Sequence, residues 1–73
     1  YQRLRAVRSR CAEAERVPVY VIFTNATLAD MAMKQPRDIP GLKRVEGIGE
    51  IRAARYGKAF LEEIARWREE GGA

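Results

Sequence analysis

Apolar residues recur at spacings of three and four along much of this chain, and this periodicity constrains the fold more than any other feature. In the first part of the chain the spacing is followed by Leu4, Val7, Cys11 and Ala14, and in the last part by Ala53, Tyr56, Phe60, Ile64 and Trp67. Such spacing places side chains on one face of an α-helix. The pattern predicts a first helix from Gln2 to about Arg16. It also predicts one helix from Glu50 to about Trp67, or two if the chain breaks at Gly57.

The middle of the chain contains a β-rich segment, Val17–Phe23. Residue propensity alone would make it a strand. A lone strand has no partner in an otherwise helical chain, so we expect a buried irregular or 3₁₀ connection instead. The side-chain oxygens of Thr24, Asn25 and Thr27 can cap a second helix, which should end near Gln35.

A short third helix and a glycine turn follow. Asp38 can cap this helix, whose first turn tolerates Pro40. Gly47-Ile48-Gly49 predicts a tight turn before the last helical region. The 73 residues suit a single core. We therefore expect one all-α domain over residues 1–73, a compact bundle of four to five short helices, with its core over 2–67 and a frayed tail over 68–73.

The residue types that are absent limit the chemistry of the chain. It has no histidine, and Cys11 is its one cysteine. An internal disulfide, a cysteine-based metal cluster and a Cys–His or Ser–His nucleophilic pair are excluded. We expect no catalysis and no cofactor, and we interpret Cys11 as a small buried hydrophobic residue. The longest apolar run is far shorter than the roughly 20 residues that span a bilayer, so we expect no membrane contact and no signal peptide.

Positive charge is concentrated in two stretches of the sequence. The chain has 14 Lys and Arg against 10 Asp and Glu, a net charge of +4. Four arginines precede the first acid, and seven bases lie between Lys34 and Lys58 against three acids. Two basic stretches could form one electropositive face that attracts phosphate. Ordinary solvated helix surface explains the same charges equally well.

The residues around the glycine turn resemble a helix-hairpin-helix motif. They are Leu42, Val45, Gly47, Ile48, Gly49, Ala53 and Tyr56. In that motif the glycines allow a tight hairpin, and the following helix presents backbone N–H groups and its positive dipole end to an anion. A phosphate bound there would carry no base information, and Arg52 and Arg55 are close enough to add charge. The alternative is a plain connection between packed helices, and the two glutamates beside the turn would repel a phosphate.

A wider set of residues resembles the HRDC (helicase and RNase D C-terminal) domain family. The set comprises Leu4-Arg5, Val17–Phe23, Ala26-Thr27-Leu28, Ala32, Pro36, Leu42-x-x-Val45-x-Gly-Ile-Gly and Tyr56-Gly57-x-x-Phe60-Leu61-x-x-Ile64. Asn25 stands where the family often has Asp, and either residue can cap a helix. The resemblance implies a five-helix accessory module of a larger protein. That parent would be an ATP-dependent DNA helicase of RecQ or superfamily I type, less commonly RNase D.

The resemblance also implies a function and a binding site. Tyr20 matches a family tyrosine that contributes to single-strand binding in some helicases. Its ring could stack on an unpaired base or pack inward, and the sequence favours neither. The densest basic stretch near the turn supplies the phosphate candidates, Lys34, Arg37, Lys43 and Arg44. The implied function is weak contact, without sequence specificity, with single-stranded or partly single-stranded DNA, and RNA stays open as a ligand.

A second hypothesis is a docking module that holds other domains of the parent helicase or a partner protein. The mixed charge near the end of the chain suits it, with Glu62, Glu63, Arg66, Arg68, Glu69 and Glu70 close together. Trp67 is interpreted as a lid on the core. For either function we expect a monomer as an isolated domain, and a cytoplasmic, nucleoid-associated location in a bacterium.

Overall fold

The computed structural model describes residues 1–71, which form five helices. In chain order they are α1 (Gln2–Glu15), α2 (Val19–Ile22), α3 (Asn25–Lys34), α4 (Ile39–Leu42) and α5 (Glu50–Glu69). Residues 1–71 contain no strand. Helix α1 packs against α2, α3 and α5, and α4 packs against α5. The predicted all-α bundle is confirmed, although α5, with 20 residues, is not short. None of these helices is both long and apolar enough to cross a membrane.

Helix ends lie where the capping residues predict them. Thr24 is the N-cap of α3, and its Oγ1 accepts a hydrogen bond from the N–H of Thr27 at 3.2 Å. Asp38 is the N-cap of α4, and its Oδ1 accepts from the N–H of Gly41 at 2.8 Å. Gln35 follows α3 in the left-handed conformation, with φ of 45°. These contacts satisfy backbone groups that a helix end leaves without an intrahelical partner.

The β-rich segment Val17–Phe23 contains one turn of α-helix, α2, and the expected irregular or 3₁₀ connection is wrong. Pro18 precedes this turn with φ of −62°, a value that suits entry into a helix. Burial is also only partial, because Ile22 and Phe23 are fully buried whereas the three residues before them are exposed. Packing of these two side chains into the core outweighs the β propensity of the segment.

The buried face of α1 differs from the predicted stripe. Leu4, Val7 and Ala12 are buried as expected for one helical face, but Ala14 is exposed. Cys11 is half-buried and packs against the core, and burial raises the pKa of its thiol. A stripe that begins at residue 4 continues through 7, 8, 11 and 12. Ala14 lies seven residues after Val7, close to the same side of the helix, but only one residue before α1 ends at Glu15. The fourth buried residue of α1 is Arg8, at 4% exposure.

Helix α5 is continuous, so Gly57 does not break it. A Cβ at this position would lie 2.8 Å from Leu42 Cδ2 and 2.9 Å from Ile39 Cδ1. The glycine therefore lets α4 approach α5 closely. The predicted inward face is buried at four of its five positions, and the fifth, Trp67, is half-buried.

The end of α5 lies further along the chain than the predicted tail allows. The helix runs to Glu69, and Arg68 Nε donates to Gln35 Oε1 at 3.2 Å. Glu70 accepts a hydrogen bond from Arg3 Nη1 at 2.6 Å. Tertiary contacts thus extend the helical structure past residue 68, where the tail was expected to begin. The last part of the predicted tail, residues 72–73, lies outside the described residues.

Candidate nucleic-acid interface

Helix α2 presents an aromatic ring to the surface. Tyr20 is 66% exposed, and its neighbours Val19 and Val21 are each 38% exposed. The turn that carries the ring is anchored by Ile22 and Phe23, which are fully buried. Of the two orientations that the sequence left open for Tyr20, the structure has the outward one. A rigidly supported aromatic face is therefore available to a ligand.

A basic connection, residues 43–49, joins α4 to α5 and contains the glycine turn. Val45 and Ile48 are buried and fix the connection to the core. Gly47 has φ of 84°, and a Cβ there would lie 2.5 Å from Thr27 Oγ1. Glycine is required at this position for both reasons. Because Thr27 lies in the first turn of α3, the connection sits against the start of the helix that directly follows α2.

Helix α5 begins at the end of this connection with its positive dipole end exposed. Gly49 is the N-cap, and its carbonyl accepts the N–H of Ala53 at 3.0 Å. The N–H groups of the first turn, at residues 50–52, have no acceptor within the helix, as at any helix start. Glu50 and Ile51 are exposed beside them. The local geometry suits an anion, and the carboxylate of Glu50 opposes one.

Two of the predicted phosphate contacts are already engaged inside the protein. Lys34 Nζ lies 2.8 Å from Asp30 Oδ2 and donates to the carbonyl of Arg44 at 3.1 Å. Lys43 Nζ lies 3.5 Å from Glu50 Oε1. The charges of both lysines are therefore partly neutralised where they stand.

Three other predicted contacts have no such engagement. Arg37, Arg44 and Arg52 are exposed, and within residues 1–71 none of their guanidinium groups pairs with a carboxylate. Arg44 lies in the basic connection and Arg52 in the first turn of α5. Unlike those of the two lysines, the charges of these side chains are not neutralised by a carboxylate among the described residues.

Arg55 has a structural contact that sequence reasoning missed. Its Nη2 lies 3.2 Å from Glu15 Oε2, and its guanidinium lies 5.6 Å from the centre of the Tyr56 ring. The Tyr56 hydroxyl donates to Glu15 Oε1 at 2.9 Å, and this hydrogen bond raises the pKa of Tyr56. Arg55 therefore helps to join the end of α1 to α5 and is less available to a ligand than Arg52.

Sequence reasoning also missed Asp30, although its spacing from Lys34 pointed to it. It lies four residues before Lys34 on α3, a spacing at which opposite charges meet on a helix. The structure adds a contact that no spacing rule predicts, since Asp30 Oδ2 accepts a hydrogen bond from the N–H of Glu46 at 2.8 Å. This hydrogen bond, and then Lys34, lower the pKa of Asp30.

The geometry defines a five-helix bundle with a hairpin-like glycine turn, and comparison with known proteins identifies its family. The family model described as HRDC domain matches residues 1–64. The solved structure of the D. radiodurans RecQ HRDC domain 3 has a TM-score of 0.86 and 37% identity, covering 89% of this chain and 86% of that one. The chain belongs to the HRDC domain family, as the sequence resemblance predicted.

Curated relatives place HRDC segments like this one inside much longer proteins. The ATP-dependent DNA helicase RecQ of Bacillus subtilis is 42% identical over 64 residues, which are 88% of this chain and 11% of that protein. The ATP-dependent DNA helicase UvrD2 of Mycobacterium tuberculosis is 36% identical over 59 residues, which are 81% of this chain and 8% of that protein. The chain thus spans about a tenth of each of these two helicases.

Proposed function

We propose that this HRDC domain is a non-catalytic, nucleic-acid-binding module of a larger bacterial DNA helicase, acting at the nucleoid. It contacts single-stranded or partly single-stranded DNA weakly and without sequence specificity. The observation that carries the proposal is the 66% exposure of Tyr20 on a turn anchored in the core. An exposed aromatic ring can stack on any unpaired base, because every base has a π-face.

Electrostatic contacts supply the rest of the proposed interaction. Arg37, Arg44 and Arg52 are exposed and free of ion pairs with described residues. The first-turn amides of α5 add backbone donors. Contacts of this kind bind the phosphate backbone of DNA or RNA alike and release counterions, so affinity should fall steeply as salt is added.

The test is fluorescence anisotropy with a labelled oligothymidine at two salt concentrations. Tyr20→Ala should weaken binding by about 1–3 kcal/mol, the usual contribution of one stacked base, and Tyr20→Phe should preserve it. Tyr1→Ala is the matched control, since Tyr1 is also an exposed tyrosine, at 47%. It should bind like the wild type. Absence of binding at low salt, or equal affinities for Tyr20→Ala and Tyr1→Ala, would contradict the proposal.

A second candidate function is docking against another domain of the parent protein. A cavity of about 290 Å³ lies between the start of α1 and the ends of α3 and α5, with Leu4, Ile64 and Trp67 in its wall. Arg3 and Glu63, which also line it, are paired to each other at 2.6 Å. A cavity with apolar walls and internally paired charges suits a protein surface better than a phosphate backbone.

Charge reversal separates the two functions. The double variant Lys43→Glu, Arg44→Glu should abolish oligonucleotide binding if the first function is correct. Unchanged oligonucleotide binding, together with altered association with the other domains of the parent helicase, would support docking instead. Trp67→Ala is the converse variant, since Trp67 lines the cavity. It should leave oligonucleotide binding unchanged and alter association with the other domains if docking is correct.

A further inference from the structure

An acidic residue lies within the basic part of the candidate interface and is bonded to its backbone. Asp30 Oδ2 accepts a hydrogen bond from the N–H of Glu46 at 2.8 Å and forms a salt bridge with Lys34 Nζ at 2.8 Å. The same Lys34 Nζ donates to the carbonyl of Arg44 at 3.1 Å. Asp30 and Lys34, one turn apart on α3, therefore hold two backbone groups of the basic connection, residues 43–49.

These contacts act in the middle of the connection. At its start, the N–H groups of Lys43, Arg44 and Val45 donate to the carbonyls of Ile39, Gly41 and Leu42, and further along Ile48 N–H donates to the carbonyl of Val45 at 3.2 Å. The carbonyl of Arg44 and the N–H of Glu46 are instead bonded by side chains of α3. Burial of Val45 and Ile48 fixes the inner side of the connection, and Asp30 and Lys34 fix its outer side.

The charge of Asp30 opposes the proposed function, whereas its hydrogen bonds support it. A carboxylate bonded to the basic connection repels phosphate and partly neutralises the charge of Lys34. Its hydrogen bonds, however, set the path of the backbone that carries Arg44 and leads into Gly47 and Gly49. A flexible connection would have to be ordered at each binding event, which costs affinity.

We infer that Asp30 is a positioning residue of the nucleic-acid interface, one that holds the basic connection in its binding geometry. The inference rests on the proposed function. It assigns Lys34 a structural role in addition to its charge. It also makes an oxygen acceptor at position 30 necessary, although the negative charge of the carboxylate opposes binding.

Two substitutions separate the charge of Asp30 from its hydrogen bond. Asp30→Asn and Asp30→Ala remove the same charge and the same ion pair with Lys34, but only asparagine keeps an oxygen that can accept the N–H of Glu46. With a labelled oligothymidine at low salt, we expect Asp30→Asn to bind about twofold more tightly than the wild type, because a repulsive charge is gone. Asp30→Ala should bind at least about threefold more weakly than Asp30→Asn, because the hydrogen bond is gone as well.

Amide hydrogen exchange of Glu46, followed by NMR, reports the hydrogen bond independently of binding. The Glu46 amide should exchange faster in Asp30→Ala than in Asp30→Asn, while core amides such as that of Phe60 exchange equally in both. Glu62→Gln and Glu62→Ala are the matched controls, since Glu62 is an exposed acid on α5. These two should bind with equal affinity.

The outcomes distinguish a failure of the positioning role of Asp30 from a failure of the proposed nucleic-acid-binding function. If the wild type binds and the two Asp30 variants bind equally, the positioning role is overturned and the proposed function stands. If Asp30→Ala also loses protection at its core amides, the effect is general loosening and the positioning role is again overturned. If the wild type binds no oligonucleotide at low salt, the proposed function falls and the inference falls with it.

Discussion

Arg8 is a charged residue inside the core, and its side chain links α1 to the residue that follows α2. It is 4% exposed, and its Nη1 donates to the carbonyl of Phe23 at 2.9 Å. Its Nε is buried without a hydrogen-bond partner among the described residues. Since Phe23 directly follows α2, the guanidinium closes the end of the turn that presents Tyr20. From the sequence, Arg8 is one of the four arginines that could form an electropositive face or ordinary solvated surface, because helical spacing does not reveal which arginine hydrogen-bonds to a buried carbonyl.

Substitutions of Arg8 should destabilise the domain, by an amount that depends on whether they remove the hydrogen bond alone or the packed aliphatic stem as well. Arg8→Ala removes both the hydrogen bond and the packed stem, and should lower the free energy of unfolding by about 2–4 kcal/mol. Arg8→Met keeps most of the apolar volume and removes a buried unpaired charge, so its cost should be about 1 kcal/mol. Arg5→Ala, at an exposed position of the same helix, should change stability by less than about 0.5 kcal/mol. Urea unfolding measures all three, and equal costs for Arg8→Ala and Arg5→Ala would show that the buried hydrogen bond contributes little.

At the scale of elements, the glycine turn combines two glycines with different requirements. Gly47 has φ of 84° and lies against Thr27, whereas a Cβ on Gly49 would meet no atom within 4 Å. Gly47→Ala should therefore lower the free energy of unfolding by about 2 kcal/mol or more, from left-handed strain and the contact with Thr27 Oγ1. Gly49→Ala should cost about 0.5 kcal/mol, since alanine is a poorer N-cap than glycine. Guanidinium denaturation of both variants checks the difference, and similar midpoints would contradict it.

The sequence predicts well the helix starts that are set by contacts between residues close together in the chain. Caps at Thr24 and Asp38 mark helix starts, because the capping hydrogen bond joins residues only three apart. Helix α2 and the continuity of α5 have non-local causes. The β-rich segment becomes helical because Ile22 and Phe23 enter the core, and Gly57 is needed because α4 packs on it. Neither packing partner can be found from neighbouring residues in the sequence.

For the molecule as a whole, the first and last helices are joined at both ends by charged side chains. Arg3 on α1 bonds to Glu63 and Glu70 at 2.6 Å each, 60 and 67 residues further along the chain. At the opposite end of α1, Glu15 contacts Arg55 and the hydroxyl of Tyr56. The same separation in sequence explains one part of the candidate site that could not be predicted. The sequence offered Arg55 as a charge beside the glycine turn, but its partner Glu15 lies 40 residues away. The acids that pair with Lys34 and Lys43 lie only four and seven residues away.

Low pH should lower the stability of the folded domain by protonating the carboxylates of Glu70 and Asp30. The hydrogen bond from Arg3 lowers the pKa of Glu70 below its ordinary 4.5, and the N–H of Glu46, followed by Lys34, lowers that of Asp30 below its ordinary 3.8. A carboxylate whose pKa is lower in the folded state binds fewer protons there than when unfolded. Its contribution to stability is therefore complete above those ordinary values, and it is lost as the pH falls below them through the lowered pKa of the fold.

The melting temperature should consequently stay nearly level from neutral pH down to the ordinary carboxyl range and then decrease. The double variant Glu70→Gln, Asp30→Asn should have a lower melting temperature than the wild type at pH 7. Its melting temperature should decrease less on acidification, because it lacks both carboxylates. Glu69→Gln is the control, since Glu69 is exposed and pairs with no base among the described residues. Its profile should match the wild type. Differential scanning calorimetry from pH 7 to about pH 2 spans this titration range, and parallel profiles for the wild type and the double variant would place the acid sensitivity in other groups.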